Sequence, residues 1–217
     1  MEPITIREIA EAVNGKLLGG FTDLDRTVTH VFTDSRKPDP GALFIPLVGE
    51  RFDGHAFIEA ALEGGAAGCF TQRERESYLP GKFYIKVGNT QRALRDLARW
   101  YKQKFPIPFI AITGSVGKTT TKDMVAAVLG EKFKVLKTEG NFNNEVGLPL
   151  TLLRLNSTHQ LCVVEMGMNH FGEIEYLSAI VEPDVAVITN IGDSHIENLG
   201  SRENILKAKC EIFSHMD

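Results

Sequence analysis

The sequence contains few cysteines: only Cys69, Cys162 and Cys210 among its 217 residues. Their number is odd and their spacing does not fit a metal site, so we interpret them as reduced thiols of a cytoplasmic protein. No uninterrupted apolar run is long enough to span a bilayer. The N-terminus also lacks the basic-then-apolar order of a signal peptide. We therefore expect no membrane partner.

An excess of charge of one sign is also lacking. The chain has 24 basic and 28 acidic residues, a formal net charge of -4, which argues against a nucleic-acid partner held by bulk charge. Internal repeats and low-complexity segments are absent. Hydrophobic residues make up 43% of the chain, so a buried core is expected rather than disorder. The length fits one large domain or two small ones.

Short apolar segments in residues 1–85 predict a small α/β domain. The predicted helices cover 4–13 and 55–63, and the predicted strands cover 28–33, 42–48, 67–71 and 83–87. A helix over 89–104 follows, with Asn89 as its cap and Pro106 and Pro108 after its end. We treat residues 86–106 as a linker helix between two domains.

Residues 107–217 alternate between strand and helix patterns. The predicted strands cover 108–113, 133–136, 161–165 and 185–189, the predicted helices cover 118–130, 173–181 and 201–213, and 148–153 is a helix or a turn. This alternation predicts a mainly parallel sheet whose ligands lie beyond the carboxyl ends of its strands. Only about three of these strands are strong, fewer than the five or six of a typical sheet. We therefore expect a partial domain and a chain that is a fragment of a longer protein.

The segment ITGSVGKTTT, residues 112–121, has the features of a phosphate loop between a strand and a helix. Gly114 and Gly117 let the backbone turn its N–H groups inward, Lys118 reaches terminal phosphates, and the Thr119 hydroxyl suits magnesium. Ile112 stands where the first glycine of G-x-x-x-x-G-K-[ST] belongs. The alternative interpretation is a glycine-containing turn with an exposed lysine. We favour nucleotide binding.

Glu165 and His195 follow predicted parallel strands, so both are expected at the sheet edge that carries the phosphate loop. A carboxylate at this edge suits magnesium, whereas histidine is an unusual ligand for it. Taken singly, Glu165 is equally consistent with a strand-end salt bridge and His195 with an ordinary loop histidine.

Lys209 lies on the apolar face of the last predicted helix, at helical spacing from Ile205, Ala208 and Ile212. The common explanation is snorkelling, with the charge kept in water. The alternative explanation is desolvation, which leaves Lys209 as a neutral amine. Such an amine takes up carbon dioxide to form a carbamate, which is an oxygen ligand for a second metal.

The amide-rich segment GNFNNEVGLP, residues 140–149, either orients a phosphate or carboxylate or only caps turns.

Several long motifs occur in order and together resemble the Mur ligase family over nearly the whole chain. They are ITGSVGKTTTKDM, TEGNFNNEVGLPLTLL, VEMGMNHFGEI, ITNIGDSHIENLGS, KAKCEIF and, earlier, TDSRKPDPGALFIPLVGERFDGHAFI. The family's loop resembles TGxxGKTT, so a missing first glycine is normal for it. The implied fold is α/β: an N-terminal UDP-sugar-binding domain (residues 1–85) and a partial P-loop ATP-binding domain (residues 107–217).

The resemblance implies an ATP-dependent amide ligase of peptidoglycan precursor synthesis. ATP phosphorylates the free carboxylate of UDP-N-acetylmuramoyl-tripeptide, and the amine of D-alanyl-D-alanine attacks the acyl phosphate. The implied cofactors are ATP and two Mg²⁺ ions. We expect a cytoplasmic monomer.

The family's roles transfer to matching positions. The nucleotide-binding residues are Gly114, Ser115, Val116, Gly117, Lys118, Thr119 and Thr120. Thr119 and Glu165 hold the first magnesium, and His195 and a carbamylated Lys209 build the second site. The catalytic set is Lys118, Glu165, His195 and Lys209. The substrate-binding set is Ser35, Arg36, Asp53, Gly54, His55, Asn143 and Asn144, although Arg36 also suits a surface ion pair and Asp53-Gly54 a plain turn.

Three alternatives stay open. One is a Mur ligase that adds a different amino acid, the second is a non-catalytic nucleotide- or UDP-sugar-binding fragment, and the third is a nucleotide-dependent switch or motor. We expect residues 1–217 alone to bind substrates weakly without turnover.

Overall fold

The computed structural model of the protein describes residues 1–49 and 52–216. The chain divides into two units, Met1–Trp100 and Tyr101–Asp217. Three positions lie outside the described residues: 50 and 51 in the predicted domain 1–85, and 217 in the predicted domain 107–217. The helix predicted within the 86–106 linker lies almost wholly in the first unit.

The first unit is built on a five-stranded sheet. Its elements are β1 (Ile4–Thr5), α1 (Ile6–Ala12), β2 (Lys16–Leu18), β3 (Thr27–Val28), β4 (Val31–Phe32), β5 (Leu43–Phe44), β6 (Val48–Gly49), β7 (Phe52–Asp53), a 3₁₀ turn (Gly54–Phe57), α2 (Ile58–Glu63), β8 (Gly68–Thr71), β9 (Phe83–Lys86) and α3 (Thr90–Lys102). The strand order is β2-β9-β8-β5-β4, with only the β2–β9 pair antiparallel. β1–β3 and β6–β7 form separate antiparallel pairs.

The prediction of one helix over 4–13 is wrong at its start. Ile4 and Thr5 pair with β3, and the helix begins at Ile6 because Thr5 is its cap. The Thr5 side chain accepts a hydrogen bond from the Glu8 N–H at 3.1 Å, and the Glu8 carboxylate accepts one from the Thr5 N–H at 2.8 Å. This reciprocal pair satisfies N–H groups that have no partner within the helix.

The strands predicted over 28–33 and 42–48 are also wrong in extent. β4 and β5 pair over two residues only, Val31 with Leu43 and Phe32 with Phe44. The helix predicted over 55–63 is a 3₁₀ turn followed by α2. The predicted Asn89 cap of α3 is confirmed, since the Asn89 side chain accepts a hydrogen bond from the Arg92 N–H at 2.8 Å, but the helix ends at Lys102, two residues before its predicted end at position 104.

The second unit is built on a four-stranded, wholly parallel sheet. Its elements are β10 (Phe109–Thr113), α4 (Lys118–Gly130), β11 (Val135–Lys137), α5 (Gly147–Leu152), β12 (Leu161–Glu165), α6 (Glu173–Val181), β13 (Val185–Ile188), α7 (Ile196–Leu199), α8 (Arg202–Cys210) and a 3₁₀ turn (Glu211–Phe213). The strand order is β11-β12-β10-β13. The prediction of a parallel sheet is confirmed, with one more strand than the three that are strong in the sequence.

Parallel pairing places three strand ends at one edge of this sheet. Ile112 of β10 lies beside Glu165 of β12, and Thr113 lies beside Ile188 of β13. The strand predicted over 133–136 lies instead at Val135–Lys137, and the helix predicted over 201–213 turns 3₁₀ after Cys210. α7 was not predicted, because four residues are too few to show a periodicity.

Burial keeps two of the cysteines as protonated, unreactive thiols. Cys69 of β8 and Cys162 of β12 are buried free thiols, and burial raises the pKa of each to about 12. Such thiols stay protonated and unreactive in the folded chain. Among the helices that the structure describes, none is long and apolar enough to cross a membrane.

Candidate functional site

The predicted phosphate loop connects β10 to α4, as its motif requires. Gly117 adopts a left-handed conformation (φ 82°) directly before the first turn of α4. Gly114 has φ 149°, and a Cβ there would collide with the Thr189 hydroxyl. Both glycines are therefore required by backbone geometry, and the N–H groups at the start of α4 remain available to an anion.

The segment that follows β13 holds the loop in place. The Ser115 N–H donates to the Asn190 carbonyl at 3.1 Å, and the Val116 N–H donates to the Asn190 side-chain oxygen at 3.0 Å. The Thr189 hydroxyl donates to the Val116 carbonyl at 2.6 Å. We did not select Thr189 or Asn190 from the sequence, although a polar residue at the end of a parallel strand was the signal that found Glu165.

Lys118 folds back over the loop. Its ammonium group donates to the Gly114 carbonyl at 2.8 Å and lies 3.5 Å from the Ser115 carbonyl. A phosphate in the loop would offer the ammonium a stronger, charge-assisted partner. Thr120, in the first turn of α4, is exposed.

Glu165 is the buried centre of a small polar cluster. Its side chain is almost fully buried, with the residue 2% exposed. One carboxylate oxygen accepts from the Thr119 hydroxyl at 2.8 Å and the other from the Asn143 amide at 2.8 Å. Within the described part of the chain no cationic group lies within ion-pair distance of it, so the strand-end salt bridge is not what the structure contains.

The two asparagines predicted for substrate contact have different surroundings. Asn143 binds Glu165, whereas the Asn144 side-chain oxygen accepts from the Val146 and Gly147 N–H groups at 3.2 and 2.8 Å at the start of α5. Asn144 thus caps a turn, as the alternative interpretation held. It also lines a cavity of about 440 Å³ together with other residues, among them Gly167.

His195 lies in the segment that contacts the phosphate loop. It has a left-handed backbone (φ 66°) and precedes α7. Its neighbour Ser194 donates from its hydroxyl to the Ser115 carbonyl at 3.4 Å. Across residues 1–49 and 52–216, no three His, Cys, Asp or Glu side chains converge on a metal-sized site. The predicted metal-ligand set contains only two such residues, Glu165 and His195.

Lys209 is buried on the inner face of α8, with 2% of the residue exposed. Burial, and next the nearby charge of Lys118, lower the pKa of Lys209 from 10.5 to about 8. Snorkelling is therefore wrong for this lysine. By contrast, Lys207 is exposed and faces Glu203 at 3.7 Å. A lysine with such a pKa is neutral in a sizeable fraction of molecules near pH 8.

In the first unit, Ser35 and Arg36 line a cavity of about 640 Å³ together with Asp34, Phe52 and Phe57, among others. Two guanidinium nitrogens of Arg36 contact the Asp34 carboxylate at 2.8 and 2.9 Å. Hydrogen bonds from the Arg36 side chain lower the pKa of Asp34 to about 2. Arg36 therefore forms the surface ion pair of the alternative interpretation, at the rim of a cavity.

Asp53, Gly54 and His55 form a turn beside this cavity. Asp53 and His55 line a different cavity of about 480 Å³. The Asp53 carboxylate accepts from the His55 N–H at 2.9 Å, and the hydrogen bonds from His55 lower its pKa. A Cβ on Gly54 would press on the Leu47 backbone. The turn interpretation of Asp53-Gly54 therefore describes the local structure.

Two family models match the chain. The Mur ligase family, catalytic domain, matches residues 27–102, and the Mur ligase middle domain matches residues 112–217. A similar curated protein is the UDP-N-acetylmuramoyl-tripeptide–D-alanyl-D-alanine ligase of Bacillus subtilis (strain 168), 49% identical over 211 residues, which cover 97% of this chain and 46% of the relative. The protein of the same name from Escherichia coli (strain K12) is 41% identical, with 99% of this chain and 46% of the relative covered.

Solved structures give the same picture. MurF from Acinetobacter baumannii superposes with a TM-score of 0.94 at 37% identity, covering 100% of this chain and 47% of that chain. The MurF ligase from Thermotoga maritima in complex with ADP superposes with a TM-score of 0.79 at 37% identity, covering 87% of this chain and 43% of that chain. The chain spans about half the length of the curated relatives it matches.

Proposed function

The chain belongs to the Mur ligase family, and from this premise we propose that it carries the nucleotide-sugar-binding and ATP-binding parts of an ATP-dependent ligase. The ligase joins D-alanyl-D-alanine to UDP-N-acetylmuramoyl-tripeptide in cytoplasmic peptidoglycan precursor synthesis. The names of the similar curated proteins support D-alanyl-D-alanine, rather than another amino acid, as the group that the ligase adds. We further propose that the protein acts as a monomer.

One observation carries the proposal for the second unit. A buried carboxylate, Glu165, is held by the hydroxyl of Thr119, and Thr119 follows the loop lysine Lys118 directly in the chain. A cationic side chain, helix N–H groups and hard oxygen atoms thus lie together at one sheet edge. This is the set of groups that a magnesium-bound nucleotide triphosphate needs.

The donor set at this edge fits magnesium. Thr119 and Glu165 supply hydroxyl and carboxylate oxygens, the ligand type that Mg²⁺ prefers. We propose that these two residues hold one ion and that His195 and Lys209 contribute to a second. When bound, the ions supply positive charge that neutralises the phosphates and the acid to be activated. Asn143 then keeps the Glu165 carboxylate oriented while the Thr119 hydroxyl turns to its ligand.

Lys209 suits the second position only after it changes charge. The ammonium group first releases one proton. The neutral amine attacks the carbon of carbon dioxide, a C–N bond forms as one C–O π bond breaks, and a second proton leaves the nitrogen, so the ammonium cation becomes a carbamate anion. The lowered pKa of Lys209 supplies the neutral amine that this step needs. A carbamate would also replace the repulsion between Lys209 and Lys118 by an attraction.

The proposed reaction has two transfers. An oxygen of the tripeptide carboxylate attacks the γ-phosphorus of ATP, and ADP leaves. The amine of D-alanyl-D-alanine then attacks the acyl carbon, inorganic phosphate leaves with the C–O electron pair, and the nitrogen loses a proton. Lys118 and the N–H groups at the start of α4 hold the phosphates, which brings two anionic reactants together at a lower electrostatic cost.

In the first unit, we propose that the cavity lined by Ser35 and Arg36 takes the UDP-sugar end of the substrate. Its aromatic walls, Phe52 and Phe57, have flat apolar faces that suit a nucleobase, and Ser35 offers a hydroxyl at its edge. The Arg36 side chain is 87% exposed beside Asp34, so it is accessible to a diphosphate.

Separate calorimetric titrations of the 217-residue chain test ATP binding by the second unit and UDP-sugar binding by the first. We expect Mg²⁺–ATP to bind wild type and to lose at least tenfold in affinity in Lys118→Met, whereas Lys207→Met, an exposed control, binds as wild type does. UDP-N-acetylmuramoyl-tripeptide should bind all three alike. If Lys118→Met leaves ATP affinity unchanged, the loop is a plain strand–helix turn and the proposal for this unit fails.

A further inference from the structure

Both ring nitrogens of His55 are engaged within the protein. Nδ1 lies 2.7 Å from an Asp53 carboxylate oxygen, and Nε2 lies 3.1 Å from the Gln72 backbone nitrogen. The side chain is only 9% exposed. A ring with both nitrogens occupied has no hydrogen-bonding atom left for a ligand. The substrate contact predicted for His55 is therefore not what this geometry offers.

The partners determine the tautomer of the ring. A backbone N–H only donates, so Nε2 of His55 accepts from Gln72 and carries no proton. The neutral ring then carries its proton on Nδ1 and donates it to Asp53. The second oxygen of Asp53 accepts from the Arg73 guanidinium at 3.2 Å. His55 thus bridges the turn after β7 to the end of β8.

The bridge continues to α3. The Gln72 side-chain oxygen lies 3.3 Å from the Thr90 hydroxyl, and Thr90 is buried at the start of α3. A series of hydrogen bonds therefore runs from Asp53 through His55 and Gln72 to Thr90. Asp53 ends β7, Gln72 directly follows β8 and Thr90 begins α3, so the series fixes the turn relative to the main sheet of the first unit.

This turn carries the aromatic walls of the neighbouring cavity. Phe52 precedes Asp53 and Phe57 ends the 3₁₀ turn that contains His55. The two rings stack with centroids 5.8 Å apart and an interplanar angle of 27°. Both phenylalanines are about half exposed, at 50% and 41% of the residue, so packing around them holds their side chains weakly. Their position depends on the turn to which they are attached.

We propose that His55 is a positioning residue for the UDP-sugar cavity, which holds the Phe52 and Phe57 walls in place through its Nε2 bond to the Gln72 N–H. The assignment rests on the proposed function of the first unit. His55 itself does not contact the UDP-sugar. The protein binds the UDP-sugar while the His55 ring is in its neutral Nδ1–H tautomer.

Two variants separate the two ring bonds. His55→Gln keeps an acceptor near the Nε2 position, and His55→Asn keeps a donor near the Nδ1 position but loses the bond to Gln72. With uridine 5′-diphosphate as the probe in calorimetry of the 217-residue chain, we expect the Asn variant to lose about tenfold in affinity and the Gln variant to stay within about twofold. His30→Asn, at an exposed histidine of the same unit, should bind as wild type does. Mg²⁺–ATP affinity should be unchanged in all variants.

The outcomes are separable. If wild type does not bind uridine 5′-diphosphate, the proposed function of this unit fails and the assignment fails with it. If wild type binds and the Asn variant binds equally well, or the Gln variant loses as much as the Asn variant, only the His55 assignment is overturned.

Nitrogen NMR of the histidine rings gives an independent test that does not depend on how the variants fold. We expect the Nδ1–H tautomer of His55 before and after uridine 5′-diphosphate is added. A ring nitrogen shift that reports a direct hydrogen bond to the ligand would contradict a positioning role.

Discussion

The buried ammonium group of Lys209 should weaken the folded state at neutral pH. Its pKa is lowered from 10.5 to about 8, first by burial and then by Lys118. The unfolded chain therefore holds this proton more tightly than the folded chain does. A difference of roughly 2.5 pKa units corresponds to about 3 kcal/mol of lost stability when the group is protonated in both states.

The sign of the effect follows from the two pKa values. Below pH 8 both states are protonated and the full cost is present. Between pH 8 and pH 10.5 the folded state releases its proton first, so the contribution of Lys209 to stability rises with pH. From pH 7 to pH 9.5 the expected gain is about 2 kcal/mol.

We therefore expect Lys209→Met to be more stable than wild type at pH 7, and its advantage to shrink by about 2 kcal/mol at pH 9.5. Methionine has a similar length and no charge. Urea unfolding of the second unit is monitored through the alkylation of Cys162, which is buried in β12 and reacts only when the unit unfolds. Peptide mass spectrometry measures the alkylated fraction. Buffers must be free of carbon dioxide, because a carbamate would remove the titrating amine.

Lys207→Met is the matched control, since Lys207 is exposed on the same helix and its substitution should give the same stability difference at both pH values. A Lys209→Met advantage that is equal at pH 7 and pH 9.5 would refute the reasoning. So would a wild type that is more stable than Lys209→Met at pH 7.

Two further substitutions test the framework of the second unit. Gly114→Ala should lower its stability by about 1–3 kcal/mol, because the new Cβ would meet the Thr189 hydroxyl and φ is 149°; Gly130→Ala, where the Cβ meets open space, should cost nothing in the same urea assay. Tyr101→Phe should cost about 1–3 kcal/mol, because the buried hydroxyl donates to the Leu155 carbonyl at 2.6 Å and the carbonyl would lose its partner. Unchanged urea midpoints in Gly114→Ala or Tyr101→Phe would contradict these contacts.

Three elements of the second unit were predictable to the residue. The helix at Lys118–Gly130, the strand at Leu161–Glu165 and the helix at Glu173–Val181 have the bounds that their apolar patterns indicate. The first unit was less predictable, because several of its strands are two residues long and a two-residue pair shows no alternation.

The site shows the same division. The phosphate loop followed from its two glycines and Lys-Thr-Thr between a strand and a helix, and Glu165 followed from the rule that the carboxyl ends of parallel strands meet at one edge. The contacts of Asn190 with the loop depend on β13 pairing beside β10, and strand order is not written in the local sequence. The engagement of His55 likewise depends on Gln72, a residue 17 positions away whose proximity only the fold creates.

The magnesium dependence of ATP binding tests the central claim most directly. Glu165→Gln keeps the size of the side chain and removes the charge that a cation needs, while Glu131→Gln, at the exposed end of α4, is the matched control. We expect magnesium to raise the ATP affinity of wild type and Glu131→Gln, and to raise that of Glu165→Gln at least tenfold less. An equal magnesium effect in all three proteins would contradict the assignment of a nucleotide–magnesium site at this sheet edge.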